Sequence, residues 1–270
     1  MQAKRELVAL AAIPILAATI IWAPPWAFLV VLGAAAVLAC NEFLNMARSA
    51  GLDASRWLPL VLTGGVLATS WVWGTTGLAV SSIVTLLALA AARLAHHASP
   101  VGSLGAVAAE SFAVLYLGAT AACLGWLRLW PVEPQGIRLV VFFLACIWVG
   151  DSGAYYVGRT FGRHPMSPRI SPNKTLEGLA GGVVTTYAAA ALTANILDLG
   201  LAPIHIAGLA TILAVAAPLG DLVESQFKRD SGVKDSSALL PGHGGLLDRT
   251  DSLFYSAPVF LGYLAAIGLV

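Results

Sequence analysis

Long apolar runs separated by short polar breaks dominate the chain. A helix needs about 20 mainly apolar residues to cross the hydrocarbon core of a bilayer. Nine stretches approach that length: Leu7–Ala23, Trp26–Cys40, Leu58–Trp73, Thr76–Leu94, Leu104–Trp126, Ile137–Val157, Leu176–Leu199, Ala202–Glu224 and Ser252–Val270. The pattern predicts an all-α, polytopic integral membrane protein with about nine transmembrane helices. The second and third runs are short, so tilt and re-entry both stand open for them. The first run follows Lys4 and Arg5 as the apolar part of a signal peptide would. No small-residue cleavage site follows it, so it reads as a retained helix. No tandem repeat or linker interrupts the series. Residues 1–270 therefore read as a single transmembrane domain, with the chemistry in the half from about 150 to 252.

Composition agrees with the pattern. The chain is 58% hydrophobic and 11% charged, where a soluble domain carries about 25% charge. Folding it as one water-facing globule would expose large apolar patches. A net charge of +1 gives no bulk attraction to nucleic acid. Cys40, Cys123 and Cys146 fall inside apolar runs with no metal or disulfide spacing, and read as small buried hydrophobes.

The distribution of charge adds an orientation. Of the fifteen Lys and Arg residues, only Arg128 and Arg138 fall on the side opposite the amino terminus. Cytoplasmic loops carry the Lys/Arg excess, so the amino terminus is expected in the cytoplasm. A site for anionic substrates on that face would add to the same bias.

Charged groups within apolar spans are costly and usually mark function. Asp151 lies near the cytoplasmic end of the sixth run, and Asp221 and Glu224 near that end of the eighth. The i, i+3 spacing of the last two puts both carboxylates on one helix face. Two acids near a helix carboxyl end oppose its dipole and call for a cation. Lys228 and Arg229 are one source, and a divalent metal is the other. Glu42 reads as a solvated structural acid in the headgroup zone. Glu110 fits either a hydrogen bond to a neighbouring helix or a functional role.

The densest polar stretch is Ser225–Asp251, SQFKRDSGVKDSSALLPGHGGLLDRTD. Glycines let backbone N–H groups converge on a phosphate, and Lys and Arg neutralise its charge. Adjacent carboxylates can hold Mg²⁺, which bridges phosphate oxygens. The mixture suits a nucleoside triphosphate better than an ion pathway. Upstream, Ser171 is expected to cap the seventh helix, with Pro172 at its first position and Lys174 in its first turn. A helix amino terminus with a lysine is an anion site. The amino ends of the seventh and ninth helices would then receive phosphates, and the carboxyl end of the eighth a metal.

This stretch resembles the signature of the phosphatidate cytidylyltransferase family. The matching residues are Ser225, Phe227, Lys228, Arg229, Lys234, Asp235, Ser237, His243, Gly244, Gly245, Asp248, Arg249 and Asp251. The runs Gly150–Arg159 and Ile170–Gly178 resemble the family as well. The resemblance covers about the last 120 residues. It implies that CTP and phosphatidic acid give CDP-diacylglycerol and pyrophosphate, in phospholipid biosynthesis at the inner or plasma membrane, with the site facing the cytoplasm. It implies Mg²⁺ held by Asp221 and Asp248, a K⁺ as a possible second cation, and a homodimer. Catalytic roles fall to Asp221, Asp248, Lys228 and Arg229. Substrate contacts fall to Ser171, Lys174, Ser225, Lys234, His243, Gly244, Gly245, Arg249 and Asp151. A transporter or channel, a CTP-using lipid kinase and a non-catalytic membrane scaffold are the rival readings.

Overall fold

A computed structural model describes residues 17–95, 100–129, 133–239 and 244–269. The described elements are α1 (Pro25–Ser49), α2 (Leu58–Ala95), α3 (Ser103–Leu129), α4 (Gln135–Phe161), β1 (Pro165–Ser167), β2 (Ser171–Thr175), α5 (Leu176–Ile196), α6 (Pro203–Asp230) and α7 (Leu247–Ala266). Among the described residues, six helices, α1 to α6, are long and apolar enough to cross a membrane. That is the architecture of a polytopic membrane protein. Most of the first expected span lies outside the described residues. The third and fourth expected spans are the two limbs of α2, which breaks at Gly74 (φ 59°, ψ −139°). Only glycine adopts that backbone readily. Along α2, Val61, Val72, Val80, Ile83 and Leu87 are all exposed, as side chains facing lipid would be.

The chain divides into two compact units. One comprises Met1–Trp126 and Phe227–Thr250, the other Leu127–Gln226 and Asp251–Val270.

In the first unit, α1 begins with Pro25 at its first turn, where a missing N–H costs nothing. An aromatic cluster forms its core. The Phe43, Phe112 and Phe227 rings lie 5.5 Å apart, pair by pair. Phe227, the apolar residue of the signature, is thus locked against α1 and α3. Glu110 is almost fully buried. It accepts from the Ser55 N–H and Oγ at 2.5 Å each, and pairs with Arg93 at 3.4 Å. Of its two sequence readings, the hydrogen-bonded structural acid is the one seen.

In the second unit, α4 and α5 approach through small residues. A Cβ at Gly150 would lie 2.3 Å from Thr186 Oγ1, and one at Gly153 2.0 Å from Thr185 Oγ1. One at Gly178 would lie 2.8 Å from the Ala154 carbonyl oxygen. Lipid gives helices no hydrophobic drive to associate, so contact depends on close backbone approach.

The start of α5 differs from expectation. Ser171 does not cap a helix, and Pro172 and Lys174 are not in one. They lie in β2, which pairs antiparallel with β1, Pro165 opposite Thr175 and Ser167 opposite Ser171. Thr175 is the cap instead. Its backbone is extended (φ −119°, ψ 155°) and its hydroxyl accepts from Gly178 N at 3.1 Å. Glu177, one residue into the helix, turns back to accept from the N–H groups of Arg163 and His164. Hairpin pairing and a better-placed hydroxyl together move the helix start to Leu176.

The helix α6 also runs further than expected, to Asp230, closing with Val233 N to Lys228 O at 2.9 Å around Gly232 (φ 70°). Asp221 is therefore nine residues short of the terminus, about 13 Å at 1.5 Å per residue. The helix dipole acts within the last turn, so it bears on Lys228 and Arg229 rather than on Asp221.

The packing gives a prediction. Replacing glycine by alanine in a helix normally stabilises by up to about 1 kcal/mol. At Gly262 in α7 nothing lies within 4 Å of the new Cβ, and Gly262→Ala should keep or raise the melting temperature in detergent. Gly178→Ala, meeting a carbonyl oxygen at 2.8 Å, should instead destabilise by about 1–3 kcal/mol, the usual cost of overpacking.

Candidate active site

Two polar clusters contain most of the sequence-selected residues, one in each unit. In the second unit, α6 carries Asp221 and Glu224 one turn apart and α7 carries Asp251. Close contact of the two helices sets the distance between them. A Cβ at Gly220 would lie 2.7 Å from Tyr255 Cβ and 2.9 Å from the Asp251 carbonyl oxygen. Ser252 Oγ donates to Ala217 O at 3.0 Å. One oxygen from each of the three carboxylates falls within 4.8 Å of the others. Glu224 and Asp251 are buried and Asp221 is half-buried. Lys174, from β2, forms an ion pair with Asp221. Ser225 Oγ donates to Asp221 Oδ1 at 3.3 Å. Asp151, on α4, lies within electrostatic range of Asp221 and Lys174.

Three converging carboxylates repel one another strongly where solvent is excluded. Lys174 offsets one charge. The donor set is all oxygen, the kind that hard cations such as Mg²⁺ take. The residues present therefore fit a divalent metal at Asp221, Glu224 and Asp251.

In the first unit, the signature folds around Asp248, in the first turn of α7. Its Oδ1 receives Lys228 Nζ at 2.6 Å, with both side chains nearly buried. Its Oδ2 accepts from Ser236 N and Oγ at 3.0 Å each and from Gly245 N at 2.7 Å. A Cβ at Gly244 would lie 2.6 Å from Asp248 Oδ2, and one at Gly245 2.0 Å from Ser236 Oγ. Both signature glycines are thus required by close approach. Arg229, Lys234 and Arg249 are exposed. His243 lies outside the described residues.

Glu42 departs most from expectation. It is not solvated but buried, at 3% exposure. Leu246 N and Leu247 N, at the start of α7, both donate to it. The amino ends of α5 and α7 were expected to face phosphates. In the structure a protein oxygen meets each, Thr175 Oγ1 at one and Glu42 at the other. Exposed helix ends need partners, and side chains supply them here.

Asp221, Ser225 and Lys174, all selected from the sequence, lie in one cluster. The sequence assigned no role to Asp251 and Ser236, and left Glu224 out of the site. Asp251 stands in the signature and Glu224 shares a helix face with Asp221, so both carried a signal. Ser236 carried none.

A sequence model of the cytidylyltransferase family matches residues 3–267. The chain belongs to that family. Among curated relatives, a protein of Bacillus subtilis strain 168 is 43% identical over 136 residues, 50% of each chain. One of Staphylococcus saprophyticus subsp. saprophyticus is 40% identical over 136 residues, 50% of this chain and 52% of its own. One of Staphylococcus epidermidis is 39% identical over 146 residues, 54% of each. All three are named phosphatidate cytidylyltransferase. The chain spans about half the length of the curated relatives it matches.

The glycine turn beside Asp248 is open to a local test. Gly245→Ala should destabilise the protein by about 1–3 kcal/mol in detergent unfolding. Adding Ser236→Ala should recover part of that loss, because Ser236 Oγ is the nearest clash. Purely additive effects of the two substitutions would contradict the described contact.

Proposed function

We propose that the chain is a CTP:phosphatidate cytidylyltransferase. The match of the cytidylyltransferase family over residues 3–267 carries the reading, joined to relatives named phosphatidate cytidylyltransferase. A phosphate oxygen of phosphatidate attacks the α-phosphorus of CTP. A new P–O bond forms, the α–β phosphoanhydride bond breaks, and pyrophosphate leaves with its electron pair. The products are CDP-diacylglycerol and pyrophosphate.

The nucleophile is already an anion, so no strong base is required. Catalysis rests on positioning and on neutralising charge as it develops. When bound, Mg²⁺ would supply charge neutralisation at the phosphate oxygens. The signature assigns it to Asp221 and Asp248, and the reading adds Glu224 and Asp251 beside Asp221. Lys228, Arg229, Lys234 and Arg249 contact phosphates, with Lys228 aimed by Asp248. Lys174 and Ser171, both on β2, hold substrate phosphate. Ser225 orients Asp221, and Asp151 tunes its charge. Gly244 and Gly245 shape the loop and His243 orders it. We further propose a K⁺ as second cation, a homodimer, about nine spans with the amino terminus inside, and a site on the cytoplasmic face of the cell membrane. The one-sided Lys/Arg distribution supports that orientation.

The test uses purified protein in phosphatidate mixed micelles with CTP labelled at the α-phosphate. Labelled CDP-diacylglycerol and free pyrophosphate should appear with Mg²⁺ and not with a chelator. Release of CDP with a phosphorylated lipid would make it a kinase. Asp221→Asn and Asp251→Asn should each lower the rate at least about 100-fold, the scale of removing a charge-stabilising group. Asp248→Asn should do the same. Near wild-type rates in Asp221→Asn and Asp248→Asn would remove the metal assignment.

A further inference from the structure

Among the described residues of the first half, Glu42 hydrogen-bonds to the signature loop. Glu42, on α1, is separated from the residues it touches by roughly two hundred positions, yet its carboxylate is filled by them. Oε1 accepts from Ser237 Oγ at 2.6 Å and Leu246 N at 3.0 Å. Oε2 accepts from Ser236 Oγ at 3.0 Å and Leu247 N at 2.7 Å. These four donors lie on the two limbs of the signature loop, two before its glycines and two after. Leu246 N and Leu247 N belong to the start of α7, where N–H groups lack intrahelical partners. A carboxylate also suits the positive end of that helix.

Glu42 is coupled to Asp248 through a shared hydroxyl. Ser236 Oγ lies 3.0 Å from Glu42 Oε2 and 3.0 Å from Asp248 Oδ2. Ser236 N and Gly245 N complete the hold on Asp248. The fit leaves no slack, since a Cβ at Gly245 would lie 2.5 Å from Glu42 Oε2. The neighbour Phe43 packs on Phe227, next to Lys228. Adjacent residues of α1 thus fix the loop and the residue before its lysine.

We propose that Glu42 is a positioning residue. It clamps both limbs of the signature loop and so holds Asp248, and the Lys228 paired with it, in the arrangement that receives the nucleotide. The proposal rests on the cytidylyltransferase reading above. It assigns a role in nucleotide binding to the amino-terminal half, which the motif resemblance does not reach.

Glu42→Gln tests it with the shape kept. One carboxylate oxygen becomes an NH₂ donor, which faces donors already in place. Backbone amides of Gly245–Leu247 should exchange with deuterium at least about tenfold faster, a local opening. Exchange in α3 and α5 should stay unchanged. Under the same conditions kcat/KM for CTP should fall at least about tenfold, as when a supporting hydrogen bond behind a site is lost. KM for phosphatidate should stay within about twofold. Glu42→Asp, which keeps the charge but shortens the arm, should recover part of both effects. If Glu42→Gln does not fold, Ser237→Ala removes one contact and should give the same pattern at smaller amplitude. Unchanged exchange at Gly245–Leu247 would overturn the clamp. A lower melting temperature with unchanged KM and kcat for CTP would overturn the positioning role. Wild-type protein inactive towards CTP and phosphatidate would instead remove the functional reading, and the exchange arm would then decide the clamp alone.

Discussion

A carboxylate withdrawn from water must be met by hydrogen-bond donors or by positive charge, and this requirement organises the polar half of the structure. The penalty for leaving such a group unmet is several kcal/mol even after relaxation. A chain with 11% charged residues has few cations to spend on it. Backbone N–H groups and serines therefore do much of the matching. Glu110 takes the Ser55 N–H and hydroxyl. Glu42 takes two serines and two amides, and Asp248 takes a serine, two amides and a lysine. Each arrangement needs an irregular segment, because a regular helix has already used its amides. The loops around these acids are consequently held in shape by the acids themselves.

Asp221, Glu224 and Asp251 add a second arrangement. There three carboxylates converge on one another, while Lys174 pairs with Asp221, and Ser225 Oγ and Ser252 N donate to Asp221 and Asp251. Donors around an acid fix its position. A set of acids converging on a common point has oxygens directed at a position another cation can occupy. The contrast is one of local chemistry: backbone and serine donors around the acid in one cluster, carboxylates facing carboxylates in the other.

The sequence made some of this legible and hid the rest for identifiable reasons. Apolar runs located the described helices, because few polar residues interrupt them, though α1 runs on to Ser49 and α7 starts at Leu247, outside the expected bounds. Even the break at Gly74 fell between two expected runs. The start of α5 was misplaced. Ser171-Pro172 has the local form of a helix cap, and only pairing with Pro165–Ser167 shows it to be a strand. The acids at 221 and 224 were readable from helical spacing. Asp251 joins them through the contact of Gly220 with α7, a tertiary event with no local trace. Glu42 was read as solvated because an acid at the end of an apolar run usually is. Its partners lie far along the chain, and no periodicity reaches that far.

Glycine ties the two themes together. At Gly150, Gly153 and Gly178 the missing side chain lets α4 and α5 meet closely. At Gly244 and Gly245 it lets backbone approach carboxylates. In both settings a polar or tightly packed contact replaces the hydrophobic drive that lipid cannot supply. The signature's paired glycines are then a consequence of the acids beside them. A Cβ at Gly244 would stand 2.6 Å from Asp248 Oδ2, and one at Gly245 would stand 2.5 Å from Glu42 Oε2. On this argument the two glycines follow Asp248 and Glu42, whose oxygens occupy the space a side chain would need.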